Sequence, residues 1–263
     1  MATVMRRHFG RGADAWLTSL FTEVQRAYAG RHPDFQAGTL PFHNFTHACE
    51  TAIATLRLLD GHLRRNAPPA LTARHCELVV AAVLMHDIGF LQETGDTKGT
   101  GAKYTPTHVA RSERFAARLL AGRGLRNGEL RFVQLAIRGT GLNTDARRLP
   151  FRNGRERFLS SAVAAGDLIG QMAAPDYPQR LVALHDEWVA AARQNRTPTP
   201  PSLRQIRLRT ATFYREHLQR RLETDWHWVA DALIWHFPHG RDRYAASIRA
   251  NLRRIHRQAR RSC

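Results

Sequence analysis

Lysine is almost missing from this chain. Only Lys98 and Lys103 occur, both in one polar loop, although lysine and arginine together number 40 against 22 acidic residues, a formal net charge of +18. Such a balance invites nucleic acid as a partner. Near-exclusive use of arginine with abundant alanine is also what a GC-rich genome writes, so a generally basic solvated surface accounts for the charge without a dedicated role. Cysteine is scarce as well. Cys49, Cys76 and Cys263 are odd in number and show no paired spacing, which argues against a disulfide framework and a thiolate metal site. No run reaches the roughly 18 apolar residues that span a bilayer. The arginine-bearing start has no apolar stretch followed by a cleavage site, so no membrane association and no signal peptide are expected, and the expected compartment is the cytoplasm.

What is present is helical patterning. With 263 residues and 43% apolar content the chain can bury a real core. No strand-period segment of useful length and no internal repeat occurs, so the expected class is all-α, with about ten helices. Residues 1–12 read as a basic, mobile start. Asp14 is expected to cap a helix to about residue 28. Further helices are expected from near His43 to a stop at Gly61, over 70–88 with Gly89 terminating it, and over 106–121 opened by Pro106. Others follow over 127–138 capped by Asn127, 155–174, 176–194, 202–221, 224–236 and 242–258. Residues 91–105 form a Gly-rich loop with the character of a lid. The Pro-rich run 197–201 is a rigid connection. It divides a core over 1–196 from a helical C-terminal extension, 197–263, packed on that core.

The chemistry centres on His86-Asp87, at the end of the wholly apolar run Leu78 to Met85. A lone buried carboxylate costs several kcal/mol unless it is paired or binds a cation. His43-Asn44-Phe45-Thr46-His47 places two histidines at i and i+4, within about 6 Å on one helical face. Taken alone, two surface histidines explain that spacing. However, His108 opens a later helix and Asp167 interrupts the apolar run from Ala162 to Ile169. Four helices therefore each present a ligand-type group beside apolar surface, as metal sites in helical bundles do. Imidazole and carboxylate without thiolate suit Mn, Fe, Co, Zn or Mg, one ion or two. A carboxylate beside a histidine can bridge two ions about 3.5–4 Å apart.

The order His…His-Asp…Asp on successive helices resembles the HD-domain superfamily of metal-dependent phosphohydrolases, over roughly residues 40–175. The element HNFTH followed by Ala48 resembles the HNxxHA element of the cyclic-nucleotide phosphodiesterases within it. The resemblance implies an HD-domain helical bundle and divalent metal held by His47, His86, Asp87 and Asp167, with Asp87 as bridge. It implies His43 as general acid toward the leaving oxygen and Asn44 as a residue orienting the site through hydrogen bonds. His108 matches a later histidine that ligates a second metal in some members; substrate contact and a plain helix start are the other readings. Those phosphodiesterases carry a further histidine soon after the HD pair, where this chain has Ile88-Gly89-Phe90, and no residue is assigned to their purine-gripping glutamine, although Gln171 follows Asp167.

The expected activity is hydrolysis of a small phosphoester, a nucleotide or cyclic nucleotide among them, by hydroxide activated at metal. Lys98, Lys103 and Arg138 are candidate phosphate contacts. Glu93 and Asp96 are either outer-sphere groups or solvated loop acids. The remaining histidines show no comparable constellation, and Trp188, Trp226, Trp228 and Trp235 read as packing residues. Two alternatives stand beside this reading. One is a non-catalytic HD-type nucleotide-binding sensor, which would have no need of a proton donor at His43. The other is nucleic-acid docking through Arg204, Arg207, Arg209, Arg220, Arg221, Arg253, Arg254, Arg260 and Arg261, or an oligomer contact on the same helices.

Overall fold

Apolar residues at helical spacing become helices along the whole chain in a computed structural model, which describes residues 1–261; Cys263 lies outside them. The helices are α1 (Ala2–Phe9), α2 (Ala15–Tyr28), α3 (Phe45–Arg65), α4 (Ala73–Met85), α5 (His108–Leu120) and α6 (Asn127–Arg138). They continue with α7 (Gly154–Ala173), α8 (Tyr177–Asn195), α9 (Leu203–Phe213), α10 (Arg220–Glu223), α11 (Trp228–His236) and α12 (Arg243–Arg261). A π-helical segment, Tyr214–Gln219, joins α9 to α10. Two isolated β-bridges occur, and no strand forms among the described residues. The all-α class is therefore observed. No helix among the described residues is long and apolar enough to cross a membrane.

Helix α4 is the buried axis. Thr72 caps it by accepting from the His75 amide, and every residue from Leu78 to Met85 is buried. It stops at His86, because Asp87 leaves helical geometry at φ −109° and ψ 5° and a short 3-10 turn, Ile88–Phe90, follows. The stop thus comes two residues before Gly89. A Cβ on Gly89 would lie 2.1 Å from the His108 carbonyl oxygen, so the glycine is what lets the start of α5 close on the His86-Asp87 corner.

Helix α3 also departs from expectation. It runs four residues past Gly61 and ends where Asn66 adopts φ 52°. Gly61 instead makes room for α11, since a Cβ there would meet the Ala232 carbonyl oxygen at 1.7 Å. The start of the chain is ordered: α1 buries Met5, and Arg6 pairs with Asp14 at 2.8 Å. Asp14 consequently offers no side-chain cap to α2. The cap position of α6 is Arg126, whose amide donates to Glu129 at 2.8 Å, rather than Asn127. The segment after 197 shares the main core, contributing Ile206, Leu218, Trp226, Trp228, Val229, Ala232, Leu233, Ile248 and Ile255 to it. Of the tryptophans, Trp226 and Trp228 are core, and Trp235 is 52% exposed.

Candidate metal centre and its cavity

The HNFTH element works first as a helix start. The Asn44 side chain accepts from the His47 amide at 3.0 Å, and its own amide donates to the Pro41 carbonyl at 2.7 Å. Asn44 therefore fixes the first turn of α3, and with it His47, rather than facing the cavity described below. The i, i+4 spacing separates His43 and His47 into two tasks. Their ring centroids stand 5.9 Å apart at 88°.

His47 turns inward to meet α4 and α7. Its Nε2 lies 3.3 Å from Asp87 Oδ2 and 3.4 Å from Asp167 Oδ1. His86 Nε2 faces the same two oxygens at 3.2 and 3.4 Å. His86 Nδ1 donates to the Val83 carbonyl at 2.7 Å, and since a carbonyl only accepts, the neutral ring keeps its lone pair on Nε2, toward the carboxylates. His47, His86 and Asp167 offer ligand atoms that all lie within 4.8 Å of one another. His86 Nε2 and Asp167 Oδ1 are buried without any hydrogen-bond partner. Two nitrogens and carboxylate oxygens, converging with unspent lone pairs, form a donor set that fits a divalent ion.

Electrostatics agree with the geometry. Burial disfavours charge on His86, but Asp87 and Asp167 outweigh it and hold its pKa well above the ordinary imidazole value. His47 is raised in the same way, against burial, by Asp167 and Asp87. Burial pushes Asp87 up, yet the charges of His86 and His43 keep it well below the usual carboxylate range, and His86 and His47 do the same for Asp167. The two carboxylates thus draw positive charge toward this point, the charge that a bound cation would supply, and metal and proton compete for the same imidazole nitrogens.

His43 turns the other way, to Glu187 of α8. Its Nδ1 meets Glu187 Oε2 at 2.5 Å, while Oε1 accepts the backbone amides of Phe42 at 2.6 Å and His43 at 3.1 Å. Phe90 lies between two imidazoles, stacked on His43 at 4.5 Å and 21° and on His108 at 4.4 Å and 14°. His108 Nδ1 donates to the Thr105 carbonyl at 2.8 Å, and its Nε2 stands 3.9 Å from Asp87 Oδ1. Burial lowers its pKa below the ordinary value. His108 is thus placed at the edge of the cluster, farther from Asp87 than His47 and His86 are.

The cluster opens into a cavity of about 760 Å³. His43, His47, His86, Asp87, His108 and Asp167 all line it. Lys98, Lys103 and Arg138 do not. Lys103 pairs with Asp96 at 2.5 Å, Arg138 Nε with Glu113 at 2.9 Å, and Lys98 is exposed on the loop. Glu93 and Asp96 are spent on ion pairs with Arg118 and Lys103. The loop over 91–105 is bolted down rather than lid-like. Gln194 of α8 accepts the Thr100 amide at 2.8 Å, and Phe90 and Ala102 pack with Leu40 and Ala191. Only its last residue, Thr105, reaches the cavity, with the following Pro106.

Several functional positions were not foreseen. Glu187 gave no local signal, being one acid in a helix 144 residues from His43. Trp188 and Gln171 line the cavity, and so does one wall built from the C-terminal extension. That wall did leave a trace: Ile206, Arg209, Thr210, Phe213 and His217 recur at helical spacing. His8 and His236 also meet, at Asp60, far from this cavity in sequence and in role. Of the C-terminal arginines, Arg209 lines the cavity, Arg254 donates to the Pro175 carbonyl at 2.7 Å, and Arg253 and Arg260 are exposed on α12. The chain is thus an all-α protein with a His/Asp group able to hold a metal ion. No protein-family model matches it, and neither does any curated protein.

Proposed function

We propose that this protein is a metal-dependent phosphohydrolase of the HD-domain type, acting on a small organic phosphoester such as a nucleotide. The observation that carries the reading is the convergence of His47 of α3, His86 and Asp87 just after α4, and Asp167 of α7 on the lining of one cavity, with His86 Nε2 and Asp167 Oδ1 lacking hydrogen-bond partners. These four residues would hold the ion or ions, with His108 at hand for a second. A divalent ion bound there supplies charge against the phosphate oxygens and lowers the pKa of water.

The chain's own residues perform the rest. Glu187 accepts from His43 Nδ1, so a protonated His43 carries its transferable proton on Nε2. As the water oxygen bonds to phosphorus, the bond from phosphorus to the leaving oxygen breaks, and that oxygen takes the His43 proton. The Phe90 ring, stacked on His43, holds the imidazole plane. Glu187 holds the 42–43 backbone with one oxygen and the His43 ring with the other, and it is the second of these contacts that favours catalysis over the sensor reading.

The test is turnover with Mn or Co against nucleotides, cyclic nucleotides and an aryl phosphate, with metal content measured in parallel. Turnover that disappears together with bound metal in Asp167→Ala is expected. Full metal occupancy with no turnover on any phosphoester would favour the sensor instead.

A further inference from the structure

The cavity is much larger than a phosphoryl group requires. At about 760 Å³ it falls in the range of sites that enclose whole organic ligands. Its lining holds the buried His/Asp cluster and one further charged group, Arg209, which is exposed to solvent. Leu181, Trp188, Ile206 and Phe213 give the lining an apolar and aromatic part as well.

Arg209 stands out in a chain with 40 lysines and arginines, because it is the only one among the described residues lining this cavity. On its own helix the neighbouring Thr210 is already used, its hydroxyl donating to the Ile206 carbonyl at 2.9 Å. The following segment, Tyr214–Gln219, is π-helical and brings the His217 ring against Phe213 at 4.8 Å. Segments of this kind often sit at functional sites. Arginine also has the donor geometry that grips phosphate or carboxylate in a bidentate way.

We propose that Arg209 is a second anion subsite, so that the substrate is a phosphoester whose leaving group has a planar or apolar body and ends in a further phosphate or carboxylate. The assignment of the first phosphate to the His/Asp cluster rests on the phosphohydrolase reading; the Arg209 subsite is an additional claim. It gives the C-terminal extension a role in specificity, since α9 supplies Ile206 and Phe213 of the apolar lining together with the cation.

Equilibrium binding of phosphonates, which are not hydrolysed, tests this without depending on turnover. Mn-loaded protein is titrated calorimetrically with benzylphosphonate and para-xylylene diphosphonate, and with the longer mono- and diphosphonates of biphenyl. At least one diphosphonate is expected to bind about ten-fold tighter than its monophosphonate, more than two equivalent ends give statistically. Arg209→Gln should erase that gain, and Arg209→Lys should restore part of it. Arg209 is exposed, so neither variant threatens folding. If neither diphosphonate gains, or if the gain survives Arg209→Gln, the second subsite is wrong. In that case binding of the monophosphonates that is lost in Asp87→Ala leaves the phosphohydrolase reading standing. If no phosphonate binds the Mn-loaded protein, both readings fall.

Discussion

Helix α3 carries a buried charge centre at each end, and the two are completed in opposite ways. Toward its C-terminus Asp60 is fully buried and receives Arg7 and His8 at 2.9 Å, Arg64 at 2.8 Å and His236 at 2.7 Å. At its N-terminus His47, together with His86, faces Asp87 and Asp167 at 3.2–3.4 Å, with no arginine or lysine among their ion-pair partners in the described residues. The contacts at Asp60 are short and directional, from groups that only need to stay where they are. Those at the cluster are longer, come from imidazole alone, and leave a nitrogen and an oxygen unspent. Guanidinium closes a carboxylate permanently, whereas an imidazolium can give up its proton and become a neutral ligand. The same helix thus carries a structural knot joining α1, α3 and α11, and a centre shaped to accept something else.

The largest test is to exchange the two losses. Asp60→Ala strips a buried carboxylate from two arginines and two histidines and is expected to cost about 3–5 kcal/mol, roughly a 10 °C fall in Tm, with metal binding retained. Asp87→Asn keeps the side-chain shape and gives up only the longer contacts of 3.2–3.3 Å to His86 and His47, so it is expected to lower Tm less than Asp60→Ala does without metal, yet to lose metal and turnover. Thermal melts with and without Mn decide between them. If both variants lose stability alike, the two centres are not different in kind.

A smaller effect should come from Glu187→Gln, which keeps the shape but removes the charge that holds His43. The expected result is a fall in kcat of about ten- to a hundred-fold, with KM little changed. A change in KM alone would assign Glu187 to packing of the 42–43 backbone instead.

The smallest effect concerns acid. Partners hold the Asp60 pKa well below the usual carboxylate range: burial opposes this, and His236, His8, Arg7 and Arg64 overcome it. Glu129, bonded chiefly by Arg74, is lowered to about 2. A group depressed in the folded state contributes stability above its unfolded pKa of about 4 and loses that contribution as pH falls further. The stability gap between parent and Asp60→Asn should therefore narrow as pH drops from about 5 to about 2. Denaturant midpoints at stepped pH values measure it; a constant gap would mean that the knot is held by packing.

The all-α class, most of the helices and the residues His47, His86 and Asp167 that come together were legible in the sequence. Each depends on local spacing: the histidines of HNFTH, the apolar run before His86-Asp87, the lone acid in the stripe of α7. Even so, the local reading misplaced details wherever a neighbour intervened. Gly61 was read as a helix stop and is a helix crossing; residues 1–12 were read as mobile and are tied to Asp60; the 91–105 loop was read as a lid and is anchored to α8. What the sequence by itself determined is which side chains each helix presents, because that follows from 3.6 residues per turn. Only the tertiary structure decided which of them meet. Glu187 reaches His43, His236 reaches Asp60 and Arg209 enters the wall of the metal cavity through helix crossings set by the whole core, over separations at which spacing carries no information.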